Sequence, residues 1–527
     1  MKRNANRRTV LKQLATAAVM SGLPLGGTQP AHALNSDRRK LKVAVQDLRT
    51  VLEPMHPQSA AVISYRVQYN IYDGLLTLDY LNDFAVTHAL ATSFKQIDDR
   101  TYEFSLRPGV QFHDGSEMTA DDVAFSFGPT RLLDKSAPGR SMKNQFLPTL
   151  KSAEAVDALT VRLSTSVADP VFLKRLATWG GQVISRKAFE AAGDFEKWSV
   201  RPVGTGPFRV DETSPDRFIR LVAHDDYWGG APTASGVEFL KVAELSARVA
   251  GLLSNDYDIV TDITPDQISS IERDRNFAVV GGEVAVFRSV NIDTNNPQLS
   301  DVKLRQAMSF AIDRRVIVDT LWAGKVTVPK GEQLPFFGEL FDPNRAAPVF
   351  DPDRARMLVK QSSYKGEAIP YRMLQGYYTN ELATAQALVS MWKAVGINVE
   401  IVLKENWAQV YEKPATGLNN DSCPMLYPDP LSTLWRCYGD TSGYQADEKS
   451  WANGEFNKLG NSLETSSGPE ARRRIFQRML DIVDEEDPPS ILLHTMAYLY
   501  GIRKDVHWRP YSSAPMDFRP NNLAFSA

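Results

Sequence analysis

Residues 101–126 read Thr101-Tyr-Glu-Phe-Ser-Leu-Arg-Pro-Gly-Val-Gln-Phe-His-Asp-Gly-Ser-Glu-Met-Thr-Ala-Asp-Asp-Val-Ala-Phe-Ser126. Tyr102, Phe104 and Leu106 alternate with polar residues, which is the pattern of a half-buried strand. Pro108-Gly109 and Asp114-Gly115 are turn pairs that bracket a second short strand. Thr119 stands where a helix N-cap belongs, and Asp122 three residues later meets the free N–H groups of the first turn. The local reading is a hairpin that feeds a helix.

Outward from this block, strands and helices alternate. Leu41–Val45 reads as a first strand and Thr160–Ser164 as another. Pro202-Val-Gly-Thr-Gly-Pro-Phe208 is a stiff turn into a strand. It is not a phosphate loop, because Arg209 occupies the third glycine position of G-x-G-x-x-G. Val237–Leu240, a helix near Leu245–Leu253, and Asp256–Val260 suggest a strand-helix-strand unit, which argues for an α/β lobe. A strand is expected from Val284 to Asn291 and a capped amphipathic helix through Ile312. Another helix starts at Asp351, and Thr379–Val395 is a long one with Gly396 as its C-cap. Ile397–Ile401 follows as a strand, Arg472–Glu485 as a helix, and Ile491–His494 as a buried strand.

Several whole blocks are collectively specific: 101–126, Pro202–Phe208, Asp226–Pro232, Asn291–Arg314 and Asp351–Arg356. Together they resemble the family 5 bacterial extracellular solute-binding proteins over nearly the whole chain. The resemblance implies two α/β lobes joined by a hinge of two crossing strands, with an extra subdomain in the first lobe. It places the first lobe at 34–286 plus 491–527, the inserted subdomain at 70–190 and the second lobe at 287–490.

The N-terminus suggests export. Asn6-Arg7-Arg8-Thr9-Val10-Leu11-Lys12 resembles a twin-arginine motif, with Val10 where Phe is usual. Leu14–Leu25 is a short apolar region and Ala31-His32-Ala33 a cleavage site, so 1–33 reads as a signal peptide and the periplasm as the destination. Removing 1–33 takes away five basic residues and no acid, shifting the formal charge from −3 to −8. A mildly acidic chain argues against nucleic acid and anionic membrane surfaces as partners. With 43% hydrophobic residues, a mature chain of roughly 490 residues fills more than one core.

The two cysteines, Cys423 and Cys437, could form a disulfide in an oxidising compartment or stand as two buried thiols. The seven histidines are scattered, and no metal or cofactor is expected. No nucleophile elbow, zinc helix or P-loop occurs, so an enzyme is not expected.

Two stretches are the candidate ligand contacts, with ordinary loop or core packing as the plainer reading of each. Val51–His56 resembles the family's cleft loop after the first strand and supplies Glu53 and His56. Trp407 to Arg436 resembles the second-lobe cleft segment. Trp407, Tyr411, Tyr427 and Trp435 would be apolar walls, and Asp429 or Arg436 a charge. In peptide-binding members an Asp opens that segment and pairs with the ligand's free amino group; Leu426 stands there in this chain. Asp429, Asp421 or Glu53 could substitute.

The expected function is the periplasmic solute-binding component of an ABC importer, for a peptide or peptide-like solute. The chain would be a monomer that delivers its solute to membrane permease subunits, with ATPase subunits acting indirectly. The alternatives are an opine, an oligosaccharide or a nickel chelate as solute, or an exported hydrolase or chaperone on the same scaffold.

Overall fold

The computed structural model describes residues 38–59, 62–374, 376–413 and 417–526. The expected signal peptide at 1–33 lies outside them. Among the described residues no helix is long and apolar enough to cross a membrane.

The chain is mixed α/β, organised in two lobes on a ten-stranded sheet. In sheet order the strands are Val399–Lys404, Ile369–Leu374, Leu418–Pro424, Phe277–Ile292, Ser490–Arg503, Ile259–Val260, Lys40–Val45, Gly236–Lys241, Phe218–Ala223 and Phe208–Ser214. Lys40–Val45 is parallel to both Gly236–Lys241 and Ile259–Val260, with the helix Leu245–Leu253 as crossover. On the other side Ile369–Leu374 is parallel to Val399–Lys404, with Glu381–Ala394 between them in sequence. Parallel strands need such crossovers, so each side of the sheet is an α/β lobe.

The two central strands are long and antiparallel and run through both lobes. Phe277 pairs with Arg503 at one end and Asn291 with Ser490 at the other. Their register shifts between Val284 and Phe287 and again between Arg288 and Ser289. Such bulges bend a strand and raise its twist. The first of these strands begins at Phe277 rather than at Val284, because pairing with Ser490–Arg503 carries it through Gly281 and Gly282.

The 101–126 block lies in a separate four-stranded sheet, ordered Ala91–Asp98, Thr101–Leu106, Thr160–Thr165, Leu150–Asp157. The expected second short strand is a single bridge, Gln111 to Glu117. Helix Ala120–Ser126 starts with a reciprocal capping box between Thr119 and Asp122. His113 joins this block to the stiff turn, its Nε2 donating to the Gly206 carbonyl at 3.0 Å and its Nδ1 accepting from the Gly204 amide at 3.3 Å.

Three main cores hold the molecule. One packs Leu41, Val43, Ile219, Val237, Phe239 and Phe518 in the first lobe. Another packs Ile292, Met308, Ile369, Leu388, Trp392 and Leu418 in the second. The third is continuous from Tyr102, Phe104 and Leu163 of the inserted sheet to Tyr427, Trp435 and Phe476 of the second lobe. The inserted subdomain is therefore packed on the other lobe as well as its own. Each fully buried Leu or Phe contributes about 1.5–3 kcal/mol.

Candidate functional site

The lobes meet along two groups of residues. The first begins at the end of strand Lys40–Val45, where Gln46 Nε2 donates to the Tyr377 carbonyl at 2.7 Å. Tyr377 stands edge-on to Tyr378 and to Trp407, with ring centroids 4.8 and 4.9 Å apart. Trp407 stacks on Tyr411 at 5.6 Å. Asn406 holds this short helix in place, its side chain accepting from the Gln409 amide at 3.0 Å.

Behind the rings lies a polar floor. The Arg288 guanidinium sits 4.0 Å over the Tyr378 ring, and Tyr378 Oη is 3.2 Å from Ser422 Oγ. Arg288 also donates to the Asp421 carbonyl, and one of its terminal nitrogens is buried without a partner. The Asp421 carboxylate accepts from Asn291 Nδ2 at 2.5 Å and from the Ser422 amide at 2.7 Å. Burial nonetheless raises its pKa above the usual aspartate value.

The second group is the loop after strand Leu418–Pro424. Cys423 and Cys437 are joined by a disulfide, with Cα atoms 6.5 Å apart, so the loop is tied at both ends. Asp429 caps the turn Pro430–Ser432, accepting from the Leu431 amide at 3.0 Å. One terminal nitrogen of Arg472 donates to both Asp429 oxygens, at 2.8 and 2.7 Å. Trp435 Nε1 donates to Glu464 at 3.1 Å. The Trp435 ring lies against Gly460, where any Cβ would overlap it.

The inserted subdomain closes over this loop. Lys174 Nζ donates to the Pro428 carbonyl at 2.8 Å, and Arg175 Nε to Tyr427 Oη at 3.2 Å. Arg175 also pairs with Asp169 at 2.6 Å and Glu464 at 2.7 Å. A void of about 30 Å³ lies between the two surfaces, bordered by Gln145, Thr178, Leu426 and Arg436.

The loop Val51–His56 has a different environment. Glu53 is fully buried, bonded to Arg131 at 2.5 Å, Trp198 Nε1 at 2.6 Å and the Met55 amide at 2.8 Å. His56 Nε2 is 3.1 Å from Glu196, its Nδ1 accepts from the Gln58 amide, and its ring stacks on Phe195.

The sequence-derived residues thus fall into three sets. Trp407 and Tyr411 share the aromatic group; Leu426, Tyr427, Asp429, Trp435 and Arg436 share the tied loop; Glu53 and His56 are knit into the first lobe. The Glu53 and Asp429 carboxylates, named as substitutes for a missing amine partner, are both engaged by arginines. Of the three acids named, Asp421 is the one with no arginine ion pair among the described residues. Sequence reasoning missed Gln46, Tyr377, Tyr378, Arg288 and Arg175. The paired tyrosines directly after Gly376, between a strand and a helix, were the available signal.

A further space of about 550 Å³ in the first lobe is bordered by Tyr65, Tyr69, Tyr227, Trp228, Tyr511 and Arg519. Tyr227 and Trp228 come from the Asp226–Pro232 block, but none of the ligand contacts expected from the sequence borders this space. Among the described residues no group of three or more His, Cys, Asp or Glu side chains could hold a metal ion.

Comparisons with known proteins agree with this architecture. Residues 85–445 match the description "Bacterial extracellular solute-binding proteins, family 5 Middle". The chain is 27% identical to the dipeptide-binding protein of Escherichia coli over 438 residues, covering 78% of this chain and 80% of that one. It is 26% identical to heme-binding protein A of Haemophilus influenzae over 442 residues, covering 78% and 79%. The crystal structure of the dipeptide-binding protein of Pseudoalteromonas sp. SM9913 in complex with Met-Leu superposes with a TM-score of 0.84 at 21% identity, covering 93% of this chain and 100% of that one. That family is made of solute-binding proteins rather than enzymes. A match over more than half of the chain, on this two-lobe fold, makes the protein a member of the family 5 bacterial extracellular solute-binding proteins.

Proposed function

We propose that the protein captures a small solute between its lobes, outside the cytoplasmic membrane, and hands it to the permease of an ABC importer. A peptide or peptide-like molecule is the solute class that the family relatives favour. The observation that carries the reading is the pair of long strands Phe277–Ile292 and Ser490–Arg503. They join lobes that meet again through Gln46–Tyr377 and Arg175–Tyr427. A bent two-strand connection with a second, breakable interface is what hinge closure on a ligand requires.

The lobe boundaries in this reading are 34–286 plus 491–527 and 287–490, with 70–190 inserted. The bulge between Val284 and Phe287 supports them. The protein acts as a monomer without catalysis or cofactor, and ATP hydrolysis belongs to separate subunits. The disulfide fits an oxidising compartment reached by the twin-arginine route.

A second reading, a non-peptide solute such as an opine, an oligosaccharide or a nickel chelate, is favoured by one feature. Leu426 stands where an amine partner would be, and Glu53 and Asp429 are already engaged. Native mass spectrometry of protein purified from its host tests both. A co-purifying solute of the importable size class is expected. Absence of any bound solute, with no binding at micromolar levels across the four solute classes, would overturn the import reading.

A further inference from the structure

We propose that the void beside Leu426 receives a carboxylate of the solute, with Arg436 as its counter-charge, and that a free amino group is not recognised there. The inference rests on the import reading and narrows its solute class.

The void has the right size. A cavity needs about 10–15 Å³ to hold one water. The 30 Å³ here therefore suits two oxygens, which is what one carboxylate presents. It also has the right place, because its walls come from the inserted subdomain (Gln145, Thr178) and from the second-lobe loop (Leu426, Arg436). A group lodged in it is gripped by both surfaces when the lobes close.

The charges facing the void are Arg175, Glu464 and Arg436. Arg175 and Glu464 satisfy each other at 2.7 Å, and Arg175 is balanced further by Asp169 at 2.6 Å. Arg436 has no such partner. Its Nε donates to the Ser432 carbonyl at 2.8 Å and one terminal nitrogen to the Pro424 carbonyl at 3.0 Å, and neither acceptor is charged. No carboxylate among the described residues forms an ion pair with it. Two acids act on it through space, Asp421 and Glu332, and burial pushes both toward their neutral forms, Glu332 up to about 8.

A partly buried guanidinium without a counter-ion is costly, and an incoming carboxylate relieves that cost. Arginine suits the task because its planar donors match a carboxylate's two oxygens. The two backbone carbonyls and the disulfide next to Arg436 hold the side chain in place beforehand, which lowers the entropy lost on binding. Leu426, on the same wall, offers an ammonium nothing.

Calorimetry with three probes tests this: Ala-Leu, N-acetyl-Ala-Leu, and N-acetyl-Ala-Leu amide. The two acids are expected to bind alike, and the amide about tenfold more weakly or worse. Arg436→Gln should erase the acid–amide ratio, whereas Arg436→Lys, which keeps the charge, should preserve part of it. Leu426→Asp should shift the preference toward the free amine. An amide bound as tightly as the acid, or an unchanged ratio in Arg436→Gln, would overturn the proposal. If no dipeptide binds, the solute captured from the host decides: one with an acidic group supports the assignment and one without refutes it. Capture of no solute at all fells the import reading, and this inference with it.

Discussion

Arg175, in the inserted subdomain, donates to Glu464 of the second lobe at 2.7 Å, joining side chains 289 positions apart. The same guanidinium reaches Tyr427 Oη at 3.2 Å and Asp169 at 2.6 Å. One residue thus serves both the internal packing of the subdomain and its contact with the opposite lobe. The two roles separate by mutation. Glu464→Gln removes the charge opposite Arg175, yet its amide oxygen can still accept from Trp435. Because Glu464 is at the edge of solvent, stability should change by less than about 1 kcal/mol. The lobes should open more readily, seen as a larger radius of gyration in solution scattering without solute. Arg175→Met also strands the fully buried Asp169 carboxylate and should cost about 3–5 kcal/mol. Equal stability losses for the two variants would show that the lobe contact is not separable from the fold.

Glu53 and Arg131 are both fully buried and bonded at 2.5 Å. Glu53→Ala leaves Arg131 with only carbonyl partners, Ser126 at 2.9 Å and Gln182 at 3.4 Å, and should cost about 3–5 kcal/mol in denaturant unfolding. Glu53→Gln keeps the acceptor and should cost less. In either variant the folded fraction should bind solute with unchanged affinity, measured by calorimetry. Loss of binding in a fully folded Glu53→Gln would make Glu53 a ligand contact after all.

These pairs explain what was legible in the sequence. The 101–126 block announced itself because its determinants are local: alternation in the strand, Asp114-Gly115 in the turn, and Thr119 with Asp122 three residues on. The Leu245–Leu253 helix and the strands beside it were legible for the same reason. Charge pairing is not local. Arg131 is 78 residues from Glu53 and Arg472 is 43 from Asp429, and no periodicity reports such partners. Without them a carboxylate in a cleft-like loop and a carboxylate in a structural ion pair look the same. Boundaries also moved where tertiary pairing overrode local signals. The helix expected at Arg472–Glu485 runs Pro469–Asp481 and ends in a wide turn, Ile482–Glu486.

The disulfide between Cys423 and Cys437 spans a sequence separation of 14 around the loop that carries Leu426, Tyr427 and Asp429. Closing a loop of about 15 residues is worth about 3 kcal/mol through the unfolded chain. Reductant, or Cys423→Ser with Cys437→Ser, should lower the urea midpoint accordingly. Solute affinity should fall as well, because Arg436 loses the tie next to it. A midpoint insensitive to reductant would mean that the loop contributes nothing to the transition being followed.

The pH dependence of stability should carry the signature of two buried acids in the second lobe. Burial raises Glu332 from 4.5 to about 8, with the nearby Asp484 charge adding to the shift. Burial likewise raises Asp484 from 3.8 to about 6, against the pull of Arg345. For an acid whose folded value is raised, the folded chain holds the proton while the unfolded chain has lost it. The unfolded state then binds fewer protons, and stability falls as pH rises. The contribution is complete below the unfolded values, near pH 4, and is lost by the folded values. Asp484 should act between about pH 4 and 6, and Glu332 from about pH 4.5 to 8. The segment above pH 6 therefore belongs to Glu332. Glu332→Gln should flatten the stability profile between pH 6 and 8 and shrink the fall below pH 6 to the share of Asp484, read from urea midpoints at half-unit steps. A wild-type profile that is flat between pH 6 and 8 would show that Glu332 is not held protonated in the folded chain.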